Sequence, residues 1–173
     1  MVRRFSLPAL GLVLVTGCSV GVDERPEPVV QSSVAPAESE GPEGTPEEEA
    51  VAVYLDFWDA IVLASAEMDP EHPALEEHAV DQALELAQDG VQGVTDAGLG
   101  MEGQPVPNPE VISAEPTDDP RSVVIRDCQG AGDWKVVGEI EPRSRNVRVD
   151  ARLQRDLFDW WVVDMQVWGN DTC

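Results

Sequence analysis

The stretch that decides the fold is NVRVDARLQ, residues 146–154, in which apolar and polar side chains alternate strictly. Successive side chains of a β-strand point to opposite faces, so this pattern predicts a strand with one buried and one solvated face. The apolar side chains that share one face are Val147, Val149, Ala151 and Leu153. The polar side chains on the other face are Asn146, Arg148, Asp150, Arg152 and Gln154. Such a strand is typical of an antiparallel sheet that is covered on one side only.

Further strands are predicted on both sides of this stretch. EVISAEP (110–116) and RSVVIRDCQ (121–129) precede it, and a weaker strand lies around Val136 and Val137. WWVVDMQVW (160–168) follows it and is rich in the β-branched and aromatic residues that strands favour. The C-terminal half of the chain therefore predicts a meander of short strands.

Two helical stretches precede the strands. Thr45 is the predicted N-cap of the first helix, because Glu48 three residues later completes a capping box. A second helical stretch (72–98) weakens at Gly90 and Gly93, where we expect a break. Helices followed by a run of strands predict an α+β domain in which the helices pack on one face of an antiparallel sheet.

The N-terminus has the layout of a secretory signal: a basic start, an apolar run and a small pair before Cys18. Val-Thr-Gly-Cys resembles the bacterial lipobox, whose cysteine accepts diacylglycerol and becomes the first residue after cleavage. We predict a signal peptide (1–17), a lipidated Cys18 with a disordered acidic tether (18–44), and one folded domain (45–173). Two acyl chains hold a protein on a membrane where one chain gives only marginal binding. An apolar helix with an incidental cysteine is the alternative interpretation.

The charge of the chain limits its partners. The sequence has 34 acidic and 11 basic residues, a net charge of −23 at pH 7. A field of that sign repels nucleic acid, so we expect no nucleic-acid partner. The predicted partners are membrane lipid through the acylated Cys18 and an unknown envelope protein or small ligand, at the extracytoplasmic face of the cell membrane.

Two cysteines remain once Cys18 is assigned to lipid. Disulfides persist outside the cytoplasm, so we predict that Cys128 and Cys173 pair. A zinc site is the competing hypothesis, but two cysteines without nearby histidines fall short of the usual four ligands. We predict no metal and no cofactor.

The last strand carries a candidate binding patch. If the strand is regular, Trp161 shares the apolar face, and Trp160, Asp164, Gln166 and Trp168 share the opposite face. A mixed aromatic and polar face of this kind predicts a docking patch, a carbohydrate platform or a homodimer surface through the sheet. Burial beneath a neighbouring loop is the alternative.

The order of these elements resembles that of actinobacterial lipoproteins with a nuclear-transport-factor-like domain, the cystatin-like cone in which a curved sheet wraps a long helix. The motifs that carry the resemblance are the lipobox, Asp127-Cys128 followed by Trp134, and Gly169 with Cys173 after a Trp-Val strand. The chain departs from the group's pattern after Cys128, where Gln-Gly follows. Because most members have no assigned function, the resemblance implies an architecture and a cell-envelope location.

The wider cone superfamily also includes polyketide cyclases, ketosteroid isomerases and epoxide hydrolases, which use an Asp or an Asp-His pair inside the cone. This makes Asp127 the acid to inspect first, with a structural role in a strand as its alternative. His72 and His78 lack the spacing that would place them on one helix face, and we interpret them as surface residues. No H-E-x-x-H, G-x-S-x-G or glycine-rich phosphate loop is present.

Three functional hypotheses follow. The favoured one is a noncatalytic lipoprotein domain that binds a partner or ligand at the cell envelope. The alternative is a small cone-fold hydrolase or isomerase that uses an inward Asp or His. The third is a structural accessory of the envelope that acts through its acidic tether and through oligomerisation.

Overall fold

The structure is a computed structural model in which residues 44–140, 146–157 and 159–173 are described. The predicted signal peptide, the Cys18 attachment site and the predicted tether up to residue 43 lie outside these ranges. Within them, helices come first and antiparallel strands follow, and the helices pack on one face of the main sheet. The predicted α+β class is therefore confirmed.

Helix α1 (Pro46–Glu67) begins as its sequence predicts. The Thr45 N–H donates to Glu48 Oε2 at 2.8 Å, and the Glu48 N–H donates to Thr45 Oγ1 at 3.3 Å, so the capping box is complete. The helix ends at Met68, whose left-handed backbone lets its N–H donate to the Ala64 carbonyl. The large buried side chains of α1 are Tyr54, Phe57, Trp58 and Ile61.

The second helical stretch breaks earlier than predicted. It forms α2 (Pro73–Glu76) and α3 (Asp81–Asp96), and α3 runs through Gly90 and Gly93 without a break. The prediction of a break at those glycines is wrong, because the interruption is caused by a long-range contact that sequence periodicity does not show. None of the helices in the described ranges is both long and apolar enough to cross a membrane.

That contact pairs the link between α2 and α3 with the last strand. The Val162 N–H donates to the His78 carbonyl at 3.0 Å, and the Val80 N–H donates to the Val162 carbonyl at 3.0 Å. The side chain of Gln82 continues the pairing: its Oε1 accepts from the Met165 N–H at 2.7 Å, and its Nε2 donates to the Met165 carbonyl at 3.1 Å. The link is therefore extended rather than helical, since its backbone bonds to a strand.

The strands are, in chain order, β1 (Met101–Glu102), β2 (Pro109–Glu115), β3 (Ser122–Gln129), β4 (Lys135–Val136), β5 (Val147–Arg155) and β6 (Trp160–Val167). The main sheet has the order β2-β3-β5-β6, with antiparallel neighbours throughout. β1 and β4 form a separate antiparallel pair. The four longer strands and β4 match the predicted ones, whereas β1, with only two residues, has no sequence signal of its own.

The core lies between the helices and the inner face of the sheet. On β5 the predicted alternation is confirmed: all four apolar side chains are buried in the core cluster. The corresponding inner side chains of β3 are Val123, Ile125, Asp127 and Gln129, so two polar residues occupy positions of an otherwise apolar face. These two residues matter for the site described below.

A bulge in β6 changes the face on which its first residues lie. Arg152 pairs with Asp164 and Leu153 pairs with Val162, so Val163 is an extra residue. The bulge reverses the alternation, and Trp160 is only 4% exposed and belongs to the core. The prediction that Trp160 shares the solvated face, and that Trp161 lies in the core, is wrong for this reason. Trp58 of α1 also belongs to the core.

Candidate ligand-binding cavity

An apolar cavity of about 280 Å³ lies between α1, α3 and one end of the main sheet. Helix α1 contributes Trp58 and Ile61, and α3 contributes Val91. The strands contribute Val147 and Met165. No charged side chain is present among the described residues that line it. Cavities of this kind, mostly apolar with a few polar groups, are the usual sites for small molecules.

Two tryptophans form one wall of the cavity. The rings of Trp58 on α1 and Trp134 just before β4 pack edge to face, with centroids 5.9 Å apart and planes at 86°. This geometry is favourable for aromatic pairs because the positive ring edge meets the negative ring face. Trp134 therefore has a defined position although it precedes a strand of only two residues.

The loop that carries Trp134 is held against the segment before β2 by close backbone contacts. Val106 and Gly130 exchange two backbone hydrogen bonds of 2.9 Å, and the Gln104 N–H donates to Asp133 Oδ1 at 2.9 Å. Gly103 has a positive φ of 76°, and a Cβ there would lie 2.3 Å from the Asp133 carbonyl oxygen. Only glycine fits where these two segments approach each other. Their close contact fixes this end of the cavity wall.

Gly90 of α3 is a lining residue that is also exposed. A Cβ added there would have no heavy atom within 4 Å. Gly93 lies on the same helix, is exposed and has equally open space, but it is not part of the lining. The two glycines therefore form a matched pair for experiments on access to the cavity.

Unpartnered hydrogen-bond donors belong to residues of the cavity wall. The Nε2 atom of Gln129 and the Nε1 atom of Trp134 are buried and have no hydrogen-bond partner. The Nε1 atom of Trp58 also makes no hydrogen bond of good geometry. It nevertheless lies near the Tyr54 hydroxyl, where it partly offsets the raised pKa of Tyr54. Native proteins satisfy most buried donors, so these atoms indicate a missing acceptor.

Asp127, the predicted catalytic candidate, lies elsewhere in the core. Its side chain is fully buried, and its two oxygens accept hydrogen bonds from the Tyr54 hydroxyl at 2.9 Å and the Asn108 N–H at 2.6 Å. Burial raises the pKa of Asp127, and the two hydrogen bonds act against that rise. Burial also raises the pKa of Tyr54, with the Asp127 carboxylate adding to the effect. Asp127 is not among the residues that line the cavity.

The two histidines also lie away from the cavity lining. His72 caps α2, since its Nδ1 accepts from the Ala74 N–H at 3.2 Å, and its Nε2 lies 3.6 Å from Glu67. His78 uses its backbone carbonyl to pair with β6. No group of three or more potential metal-ligating side chains occurs within the described part of the chain.

Three of the four predicted patch residues lie together on the outer face of the sheet. Asp164 is 3.3 Å from Arg152, and Gln166 and Trp168 are exposed on the same face. Trp168 donates from Nε1 to Asp150 Oδ2 at 3.0 Å, and the Arg148 guanidinium lies 4.8 Å from its ring centroid. Neighbours of its own chain thus contact Trp168 on the outer face, and the residue is still 39% exposed.

Asp150 is the centre of this outer-face cluster. It accepts hydrogen bonds from Arg126 Nε at 2.9 Å, from Arg148 Nε at 3.0 Å and from Trp168. Partial burial acts to raise the pKa of Asp150, but the hydrogen bonds from Arg148, Arg126 and Trp168 outweigh it and hold the pKa below its ordinary value of 3.8. The cluster orients polar side chains on the outer face and leaves Asp150 ionised.

The predicted disulfide partners lie side by side with free thiols. Cys128 and Cys173 are both exposed, and a hydrogen bond with the Cys128 thiol raises the pKa of Cys173 to about 11. The end of the chain is held there by Thr172, whose Oγ1 accepts from the Arg148 N–H at 3.0 Å and whose N–H donates to the Asn146 carbonyl at 3.2 Å. Disulfide formation between Cys128 and Cys173 remains a prediction.

Sequence reasoning missed the cavity and its donors. A signal was present for Gln129, which has the same parity on β3 as three buried residues and is thus a polar side chain at a core position. Trp134 had no such signal, because its place depends on contacts with a distant helix.

Comparisons with known proteins add a distant structural similarity. No protein-family model and no curated protein matches the chain. Among solved structures, the chain is similar to the intermembrane space region of the chloroplast protein ARC6, with a TM-score of 0.47 and 14% sequence identity over 71% of this chain and 96% of that chain. A similarity at this level assigns neither a family nor an activity to the chain.

Proposed function

We propose that this protein is a lipid-anchored, extracytoplasmic domain that binds a small apolar molecule in the cavity between α1, α3 and the sheet, without catalysing a reaction. The observation that carries the proposal is the cavity itself: about 280 Å³ of space with apolar walls and unpartnered donors. Transfer of an apolar ligand from water into such a site is favourable by about 0.8 kcal/mol for each buried methylene group.

The same geometry argues against the enzyme alternative. A general base has to reach its substrate to within about 3 Å, directly or through one water. Asp127 is fully buried, both of its oxygens already accept hydrogen bonds, and it does not line the cavity. The hydrogen bonds of Asp127 join a strand to a helix, which supports a structural role.

The anchor and location in this proposal rest on the sequence. Support comes from the lipobox-like run before Cys18, the acidic segment 18–44, and the resemblance to actinobacterial lipoproteins with a nuclear-transport-factor-like domain. A flexible segment of that length has a root-mean-square span of about 30 Å. This reach would hold the cavity near a membrane without inserting the domain.

The binding proposal is tested with the unanchored chain, which consists of residues 18–173 with Cys18→Ala. The probe is α-methylstyrene, a small neutral molecule without a strong hydrogen-bond acceptor, and binding is measured by calorimetry. We expect saturable binding that Gly90→Leu weakens at least about tenfold, since it adds a large side chain to the lining of the cavity. Gly93→Leu, on the same helix outside the lining, should leave binding unchanged. Absence of saturable binding to the parent chain contradicts the proposal.

The anchor is tested separately in a bacterial host that processes lipoproteins. We expect the full chain to incorporate labelled palmitate and to fractionate with membranes. Cys18→Ala should abolish both, whereas Cys128→Ser should change neither. Equal labelling of the two variants would rule out Cys18 as the attachment site.

A further inference from the structure

The donors of the cavity wall define the chemistry of the ligand. Resting on the proposed function, we infer that the ligand is uncharged and carries a carbonyl-type hydrogen-bond acceptor, which Gln129 and Trp134 contact through their N–H groups.

Gln129 is the stronger of the two observations. It is 6% exposed, it ends β3 on the inner face of the sheet, and it lines the cavity. Its Nε2 atom is buried without a partner. An amide N–H group that loses its hydrating water and gains no acceptor destabilises the fold. An acceptor atom on the bound ligand would explain why Gln129 occupies this position.

Trp134 supplies a second donor from the far end of the loop that follows Gln129 and leads to β4. Its ring is fixed against Trp58, and its Nε1 atom is buried without a partner. An indole N–H can only donate, as the Gln129 Nε2 group does, so both atoms require acceptors. A carbonyl oxygen has two lone pairs and can accept both hydrogen bonds, whereas an alkane can accept neither.

The lining also excludes a charged ligand. No Lys, Arg, Asp or Glu is among the described residues that line the cavity. An ionised carboxylate would lose its hydration there without meeting a cation, which is far more costly than burying a neutral carbonyl. The net charge of −23 also disfavours the approach of anions.

A matched series of probes tests the inference on the unanchored chain. α-Methylstyrene and acetophenone have the same shape, but only acetophenone has a carbonyl oxygen, and benzoate replaces this group with a carboxylate. We expect acetophenone to bind about three- to tenfold more tightly than α-methylstyrene, as one net hydrogen bond provides. Benzoate should bind more weakly than either.

Two variants assign the preference to the named donors. Gln129→Met and Trp134→Phe remove an N–H group at nearly constant shape, so each should reduce the preference for acetophenone while α-methylstyrene still binds. Gln154→Met, on the exposed face of β5, is the control and should retain the preference. The indole N–H resonance of Trp134 in a ¹⁵N–¹H spectrum should move downfield with acetophenone only.

The outcomes separate the two proposals. If no probe binds, the proposed function fails. If α-methylstyrene and acetophenone bind equally well, or if benzoate binds best, the cavity binds ligands but the inferred ligand class is wrong. If Gln129→Met and Trp134→Phe both retain the full preference, the donors are elsewhere and the inference is overturned.

Discussion

The hydroxyl of Tyr54 donates a 2.9 Å hydrogen bond to Oδ2 of Asp127, which joins α1 to β3 inside the core across 73 positions of the chain. A carboxylate at a fully buried position is retained only where donors compensate for its lost hydration. Here the Asn108 N–H provides the second donor. The pair ties the long helix to the sheet on which it packs.

Removal of the hydroxyl should therefore destabilise the fold. We expect Tyr54→Phe to lower the free energy of unfolding by about 1–3 kcal/mol, the range for a buried polar group left without a partner. Urea denaturation of the parent chain and the variant measures the change. In the Asp127→Asn background the same substitution should cost less, and an equal cost in both backgrounds would contradict a direct coupling.

The pH dependence of stability should reveal the state of Asp127. Burial raises the pKa of Asp127 above 3.8, so the folded protein holds a proton that the unfolded chain has already released. Stability from this residue is then complete at low pH and declines as the pH rises from about 3.8 through the raised pKa. Asp127→Asn cannot ionise, so its stability relative to the parent should increase across that interval. A difference that does not change with pH would show that Asp127 has an ordinary pKa.

Asp150 should have the opposite pH dependence. Its pKa is lowered because the hydrogen bonds from Arg148, Arg126 and Trp168 outweigh its partial burial. The stability that it contributes is present above 3.8 and is lost as the pH falls through the lowered pKa. Asp150→Asn should thus be less stable than the parent at neutral pH and equal to it in strong acid, as measured by urea denaturation. A variant that equals the parent at neutral pH would show that the cluster adds no stability.

The outer-face cysteines give a redox prediction. Cys128 and Cys173 lie in contact, so a disulfide-donating oxidant should join them, and the intact protein should lose the mass of two hydrogens. The oxidised form should be about 2–4 kcal/mol more stable than the reduced form in urea denaturation. Cys128→Ser and Cys173→Ser should each remove the whole difference. Persistence of two free thiols after oxidation would contradict the pairing.

Substitution of a glycine in α3 tests whether the helix is continuous there. Because it runs through Gly93, which is exposed and has open space beside it, Gly93→Ala should raise the free energy of unfolding by about 0.5–1 kcal/mol. Gly103→Ala, at a left-handed position in close contact with Asp133, should lower it. A loss of stability at Gly93 would indicate a break there, as the sequence first suggested.

Local rules predicted the elements of this fold well. The capping box at Thr45 and the alternation of β5 are both determined by neighbours within a few residues, and both are confirmed. The failures have long-range causes. The break before α3 follows from pairing with β6, and the burial of Trp160 follows from a bulge that one extra residue creates.

The cavity was harder to predict than the fold for the same reason. Its walls come from two helices and several strands, and no short motif connects Trp58 to Trp134. Of the two donor residues, only Gln129 has a recognisable sequence signal: it is a polar residue at a position where alternation predicts burial. A buried polar side chain in an apolar series is thus the sequence feature that pointed most directly to the candidate site.

The pairing of β6 with the link before α3 has a consequence for self-association. His78, Val80 and Gln82 occupy backbone groups of β6, so in the described residues the main sheet has one edge, β2, that is free to add a strand. A fibre that grows by adding strands to sheet edges needs two free edges on every copy. Edge-to-edge addition through this sheet would therefore stop at two molecules, and a high local concentration would not convert the pair into a polymer.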